Sequence, residues 1–464
     1  MSVIATQNSG APQGAYDPAR FKLPSFVAAI PRFRDGSDTP RAFLERCLET
    51  IAARDREIQA FVCVNEGAAR VAADASTERY RAGRPLSPID GCPIGVKDMI
   101  ETIDMPTRMN SPIYEGFTSL RDAACIHALR KGGAVILGKT WMPELAMGKS
   151  GPTRNPFDLA RTPGGSSSGS GACVGAGMVP VAIGNQTGGS LIRPSSYNGI
   201  YGFKPTYGAL NNGGVFAIAP SQDHIGPMAA TLADAWLTAQ QISEHAGGNG
   251  GHPGLTGSPE LPAPVKPRRI VHLRTLGWRE LDAASNEAFE VFLSRLHAAG
   301  LEVASEMDNA EIAALERMLE DASVISNDII MYEARWPLLA DLEARPGSIG
   351  DRVMQRLARG IEMSPADYRT ALQRRDRIRR KVAEIASDAS CFITLASSGP
   401  APIGHGDTGS RSFLSPWSMV GGPSYSLPLL SVDCMPLGVQ LMGIPDTDER
   451  LTGIARWMDR LLEA

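Results

Sequence analysis

The sequence predicts an α/β protein whose β-sheet is covered on both faces by helices, and three observations carry that prediction. From about residue 90 onward, short apolar runs alternate with segments of helical period, the pattern of strands and helices in alternation. Runs such as Ala134 to Leu137 are apolar at every position, so both faces of the strand they form are to be covered. The chain also holds 48 Gly and 34 Pro in 464 residues, about 18% against the usual ~12%. That excess implies many tight turns and close backbone approaches rather than low complexity. With 43% hydrophobic and 21% charged residues, wholesale disorder is excluded.

Taken in order, residues 1–38 read as an N-terminal arm of turns with one apolar patch at Phe26 to Ile30. Thr39-Pro40 opens a helix, with a hydroxyl to cap the free amides and a proline at the first helical position. Leu44, Cys47, Leu48 and Ile51 follow as one apolar stripe. A second helix is expected over 66–82. His127 to Lys131 closes another at Gly132-Gly133, and Ala134 to Leu137 is the strand after it. Residues 246–268 are rich in Gly and Pro and read as an internal linker that need not separate domains. Beyond it come a strand at Arg269–Leu273, a helix carrying Phe289, Phe292, Leu293 and Leu296, a helix opening at Ser364-Pro365, and a strand over Cys391–Ala396.

Charge and cysteine usage exclude several function classes. Against 46 Lys+Arg stand 50 Asp+Glu, a net charge of −4, which is not the basic surface that covers nucleic-acid phosphates. The arginine run of the 364–388 helix is interrupted by Asp376 and Glu384 and keeps Ile378, Val382 and Ile385 on one stripe, so it reads as a solvated face. Seven cysteines at scattered positions, never as C-x-x-C, indicate neither a disulfide framework nor a zinc site, and suit a reducing compartment. Met1 to Asn8 has no basic or apolar leader, and the apolar stretch Gly171 to Gly184 is too short to cross a bilayer. The expectation is a cytoplasmic chain with no metal, no cofactor and no membrane contact.

Three motifs fit a chemical pattern. Gly133 to Thr140 matches a phosphate loop letter for letter, but its middle residues Ala-Val-Ile-Leu want to be strand, not a turn whose amides wrap phosphate. Gly165-Ser166-Ser167-Ser168-Gly169 matches a nucleophile elbow, yet a loop with two prolines precedes it where a strand is required. His224, within Ser-Gln-Asp-His-Ile-Gly-Pro, reads as a turn residue and not as a catalytic histidine. The third constellation places a lysine at the end of Gly95-Val96-Lys97-Asp98 and sets two Gly/Ser loops, 163–171 and 184–190, on either side of one apolar segment. Such loops can bring two hydroxyls together with the lysine as base. A lysine serves so only if burial lowers its pKa from about 10.4. Amides of Thr187, Gly188, Gly189 and Ser190 offer a hole for an oxyanion. The chemistry indicated is acyl transfer through a serine ester.

At these residues the sequence resembles the amidase signature hydrolases. The block from Gly164 to Gly208 is similar to the family signature almost throughout, as are Gly95 to Asp98, Gly138 to Glu144, Asp223 to Pro227, Pro423 to Pro428 and Pro436 to Leu441. The resemblance covers about residues 40–460. It implies one large mixed β-sheet, and a single domain over 39–464. It implies Ser190 as nucleophile, Ser166 as the bridging serine with a cis peptide, and Lys97 as general base. Asn185-Gln186 departs from the Thr-Asp usual there, Asn198 replaces a common cysteine, and Trp141 a common asparagine.

The activity implied is an amidohydrolase that cleaves a carboxamide C–N bond through an acyl-enzyme, giving an acid and ammonia or amine. Its expected partner is a small-molecule amide, with no nucleic acid, and a homodimer is compatible with it. The alternative is the glutaminase (A) subunit of a tRNA-dependent amidotransferase, which shares the triad and needs a larger partner. Met318, Met331, Tyr332, Trp336 and Trp417 are the apolar residues on offer as substrate walls, each also explicable as core.

Overall fold

The computed structural model describes residues 16–461. Its centre is one mixed sheet of eleven strands: β1 Phe61–Val64, β2 Pro93–Lys97, β3 Val135–Thr140, β4 Val181–Gln186, β5 Tyr201–Lys204, β6 His224–Ala229, β7 Arg269–His272, β8 Glu302–Ala304, β9 Cys391–Leu395, β10 Ser424–Val432 and β11 Met435–Met442. They lie in the order β1-β3-β2-β4-β6-β5-β10-β11-β9-β7-β8. β2 runs parallel to both β3 and β4, and β7 parallel to β8 and β9, while the remaining pairs are antiparallel. Every residue of β2, β3, β4, β6, β9 and β11 is buried. Side chains alternate between faces, so full burial means helices cover both sides.

The helices start where the sequence supplies caps. Thr39 accepts from the Ala42 amide at the head of Pro40–Ile58, and Ser364 with Asp367 forms a reciprocal capping box at the head of Pro365–Ala386. Glu66–Arg81 is the helix expected over 66–82. The arm differs from its expectation: Phe26–Asp35 is helical, capped by Ser25, because Phe26, Ala29, Ile30 and Phe33 recur at helical spacing and are buried. The first fifteen residues of the arm, with the leader reading at Met1 to Asn8, lie outside the described residues. Residues 247–268 hold neither helix nor strand, and strands from both sides of them share the sheet. None of the described helices is long and apolar enough to cross a membrane.

The signature block packs by absence of side chains. The helix Ser168–Gly175 is wholly buried. A Cβ on Gly169 would stand 2.2 Å from the Ala60 carbonyl oxygen and 2.5 Å from the Trp141 nitrogen. Glycine is required there because backbone meets backbone. This close approach sets the first turn of the helix against the start of β1 and the end of β3; the helix also packs on β2 and β4, with the loop before it at their carboxyl ends, where open α/β sheets hold their ligands.

Candidate active site

Lys97 ends β2, and β4 runs beside it with Val96 opposite Ile183. The lysine is completely buried. Its Nζ lies 2.7 Å from Ser166 Oγ and donates to the Asn185 carbonyl at 3.2 Å. Ser166 follows a cis peptide bond from Gly165. Ser167 Oγ donates to the same Asn185 carbonyl at 3.2 Å, and the Ser167 amide donates to the Ser190 carbonyl at 3.1 Å. The two Gly/Ser segments are thereby joined through their backbones. Ser190 is half-buried, and its hydroxyl bonds to no other described residue. The structure therefore puts Lys97 and Ser166 in contact and sets Ser190 beside them through the main chain.

The second Gly/Ser loop, 184–190, is shorter than the sequence suggests, since Gly184, Asn185 and Gln186 belong to β4 and the turn begins at Thr187. Gln186, fully buried, holds its far end. Its Oε1 accepts from the Leu191 and Ile192 amides, both at 3.0 Å, and its Nε2 donates to Ser418 Oγ at 2.9 Å. The backbone N–H groups of Gly188, Gly189 and Ser190 bond to no other described residue. Asn185, the other departure, is buried with neither atom of its carboxamide bonded to a described residue. Asn198 donates to the Pro163 and Pro194 carbonyls at 2.7 and 2.6 Å, fastening the Ser166 loop to the helix Ile192–Tyr197. Trp141 lines a cavity of about 690 Å³ with Asn110, Glu144, Lys149 and Ile349.

Burial dominates the electrostatics. It lowers the Lys97 pKa to about 7, opposed by the negative charge of Asp223. Asp223 is itself raised to about 6 by burial, against hydrogen bonds from the Thr187 hydroxyl at 2.5 Å and the Ile218 and Ala219 amides at 2.8 and 3.0 Å. Asp98, next in sequence to Lys97, faces away and stands 3.4 Å from the buried Lys139. Arg193 is buried and donates to the carbonyls of Gly165, Gly409 and Ser410 at 2.5, 2.6 and 3.0 Å, tying the cis-serine loop to the 408–410 segment.

The rejected motifs have structural places. Lys139 of the phosphate-loop match sits inside β3, donating to Ile100 O and Thr107 Oγ1 at 2.8 Å each. Ser167 of the elbow match is fully buried against β4. His224 starts β6 rather than a turn, its Nδ1 2.7 Å from the Gln222 carbonyl. Of the wall residues, Met331 and Trp417 are buried, Met318 packs on a buried apolar cluster that includes Leu315 and Ile378, Tyr332 stacks on Tyr368, and Trp336 is 78% exposed. Sequence reasoning assigned no role to Asp223 or Arg193. Asp223 is placed by the antiparallel register that sets Gln186 opposite His224, and Arg193 carries no motif to mark it.

The Amidase family model matches residues 42–452. The (A) subunit of the glutamyl-tRNA(Gln) amidotransferase of Chloroflexus aggregans (strain MD-66 / DSM 9485) is 33% identical over 92% of this chain and 94% of its own. A crystal structure of an amidase superposes with a TM-score of 0.82 at 28% identity, covering 94% of this chain and 99% of that one. The glutamyl-tRNA(Gln) amidotransferase (A) subunit from Thermotoga maritima superposes with a TM-score of 0.74 at 26% identity, covering 95% and 94%. These relatives overturn one expectation, that of a small-molecule amide partner with no nucleic acid. They carry the name of one component of an assembly named for a tRNA. The expectation failed because a net charge of −4 reports this chain's own surface and says nothing of what other chains of an assembly bind. A signature block folded around a buried lysine and serine, and a family match over nearly the whole length, lead to one conclusion: the chain belongs to the Amidase family, hydrolases of amide carbon–nitrogen bonds.

Proposed function

We propose that Ser190 is the nucleophile of an amide-hydrolysing site, with Ser166 as proton bridge and Lys97 as base, working in the role of the glutaminase (A) subunit of a tRNA-dependent amidotransferase. One observation carries the chemistry: a fully buried lysine 2.7 Å from a serine hydroxyl, beside a glycine turn whose amides are free among the described residues. Neutral Lys97 takes the Ser166 proton, Ser166 takes that of Ser190, and Ser190 Oγ bonds to the amide carbon. The oxyanion is received by the amides from Thr187 to Ser190. The proton returns through Ser166 to the leaving nitrogen as the C–N bond breaks, and water then releases the acid from the ester. The glutaminase role is supported by the amidotransferase relatives, which match this chain over more than nine-tenths of its length. A cytoplasmic setting is part of the same reading, supported by seven free thiols.

The test is reconstitution. The chain is added to a tRNA-dependent amidotransferase lacking its own glutaminase component, and glutamine-dependent amidation of Glu-tRNA(Gln) is measured. Restored amidation that is lost in Ser190→Ala is expected. Hydrolysis of amides without restoration assigns a stand-alone amidase instead, the reading favoured by the TM-score of 0.82 against the amidase crystal structure.

A further inference from the structure

Two consecutive residues ahead of β6, Gln222 and Asp223, hold the first residue of the turn that leads to Ser190. The Thr187 hydroxyl donates to Asp223 Oδ1 at 2.5 Å, and the Thr187 carbonyl accepts from Gln222 Nε2 at 2.8 Å. Side chain and backbone of Thr187 are thereby fixed by one second loop. That loop is fixed in its turn by the helix Ala322–Glu333. Gln222 Nε2 donates to Ser326 Oγ at 2.8 Å, and the Ser221 amide donates to Glu333 Oε2 at 2.8 Å. Ile330 of the same helix stands 3.6 Å from where a Cβ on Gly188 would lie. Ser326, Ile330 and Glu333 recur at i, i+4 and i+7, so one helix face backs both the turn and the loop that holds it. The amides of Gly188, Gly189 and Ser190 bond to no other described residue. Their direction is set from the two ends of the turn, by Gln186 beyond it and by the hold on Thr187 before it.

The charge of Asp223 is left to act at a distance. Its carboxylate is buried and met by neutral donors, the Thr187 hydroxyl and the Ile218 and Ala219 amides, and it pairs with no cation within 4 Å among the described residues. Of the groups around it, Glu333 is a second anion, taken up by Ser221 and by the Tyr368 hydroxyl at 2.6 Å. His224 and Tyr207 are held neutral by burial, and Arg375 is engaged by Ser221 Oγ at 3.0 Å. The negative charge of Asp223 is the one that acts on Lys97 against its burial. When Lys97 takes the Ser166 proton it becomes a buried ammonium, which a fixed anion favours. We infer that Asp223 is a positioning residue of the Ser190 site: through Thr187 it sets the oxyanion turn, and by its charge it favours the ammonium formed on Lys97. The inference rests on the reading of Ser190 and Lys97 as the reacting groups and adds the carboxylate that serves both.

The experiment follows labelling of the full chain by a short alkyl fluorophosphonate, which needs no knowledge of the natural amide. A bond forms between Ser190 Oγ and phosphorus as the P–F bond breaks and fluoride leaves. The Ser190 proton passes through Ser166 to Lys97, and the phosphonyl oxygen takes the place of the oxyanion. The maximal rate kinact and the half-saturating concentration KI are measured as functions of pH. Thr187→Val keeps the side-chain shape and the Asp223 charge but removes the hydroxyl. It is expected to lower kinact between about fivefold and a hundredfold, as misplacement of a reacting site does, with KI within about twofold. Its pH limb stays where the parent has it. Asp223→Asn is expected to lower kinact too and, with the anion gone, to move the limb to lower pH by at least about half a unit. An unchanged kinact in Thr187→Val, or an unmoved limb in Asp223→Asn, overturns the inference. If Asp223→Asn does not fold, Thr187→Val decides alone. Failure of the Ser190 reading has a separate sign, an adduct on another residue of the parent chain by mass spectrometry.

Discussion

At the scale of single residues, the protonation of Lys97 governs the proposed chemistry. An ammonium has no lone pair to accept the Ser166 proton, so kcat/KM is expected to rise as pH passes through about 7 and to level off above it. Lys97→Ala removes that limb together with most activity, and Lys97→Arg is nearly as inactive because a guanidinium stays protonated. The same shift has a stability consequence of opposite benefit. An unfolded lysine titrates near 10.4, so between about 7 and 10.4 the unfolded chain holds a proton that buried Lys97 has lost. Stability from this group therefore rises with pH across that window, and its burial penalty is felt in full below about 7. Lys97→Met is expected to melt higher than the parent at pH 6, with the difference shrinking toward pH 9 in calorimetric scans. For Ser190, a fluorophosphonate probe followed by mass spectrometry should place the adduct on Ser190, and Ser190→Ala should lose at least about a thousandfold in rate. An adduct on Ser167 would send the assignment back to the elbow, although Ser167 is fully buried.

At the scale of elements, two turns of chain are held by residues that do no chemistry themselves. Gln186 caps the far side of the Ser190 turn by accepting the Leu191 and Ile192 amides. A carboxylate accepts the same bonds, so Gln186→Asp should fold and keep measurable turnover, within about tenfold, while losing the donor to Ser418, worth about 1 kcal/mol. Gln186→Leu leaves both buried amides without acceptors at about 1–3 kcal/mol each, and should lower both Tm and kcat well beyond the aspartate variant. An aspartate variant as dead as Ser190→Ala would give the neutral amide a direct chemical role. In the helix Ser168–Gly175, Gly169→Ala drives a methyl into the Ala60 carbonyl and the Trp141 nitrogen. Backbone cannot step aside as a flexible side chain does, so the variant should show a sharply lower Tm or fail to accumulate in soluble form.

At the scale of the whole molecule, the Gly/Pro-rich stretch does not divide the structure. Strands before it and after it hydrogen-bond in one sheet, with Ser424 to Ser426 of β10 opposite Lys204 to Gly202 of β5. The main hydrophobic cluster runs from Phe26 to Met458. Gly250 and Gly251 at the tip of the stretch have open space around them, which makes the tip a site for proteolytic nicking. Limited proteolysis there should give two fragments that elute together under native conditions and part only in denaturant, with a single calorimetric transition. Separation of the fragments without denaturant would mean the two halves of the sheet are independent.

The local pattern of this sequence was enough for the class of the fold and for most helix starts, and it is also where the three residues of the proposed triad are nominated. Caps such as Thr39 and Ser364 act on amides three residues away, and a glycine-rich, serine-bearing block is distinctive letter by letter. Its local reach also explains the misreadings. Phe26–Asp35 reads as turns because it is short and carries Pro31, and its helix is stabilised by packing its four buried residues against distant chain. The role of Gln186 needed the return of the chain at Leu191 and Ile192, and that of Ser418 more than two hundred residues on. Asp223 reaches Thr187 through strand register, and Arg411 reaches Gly188 across 223 positions of sequence. Hydrogen-bond partners and charge neighbours far apart in the chain are fixed by how the sheet is ordered, not by spacing. The residue types and the chemistry they permit were therefore legible in the sequence, while which buried charge faces which, and the pKa values that follow from burial, were decided by the tertiary structure.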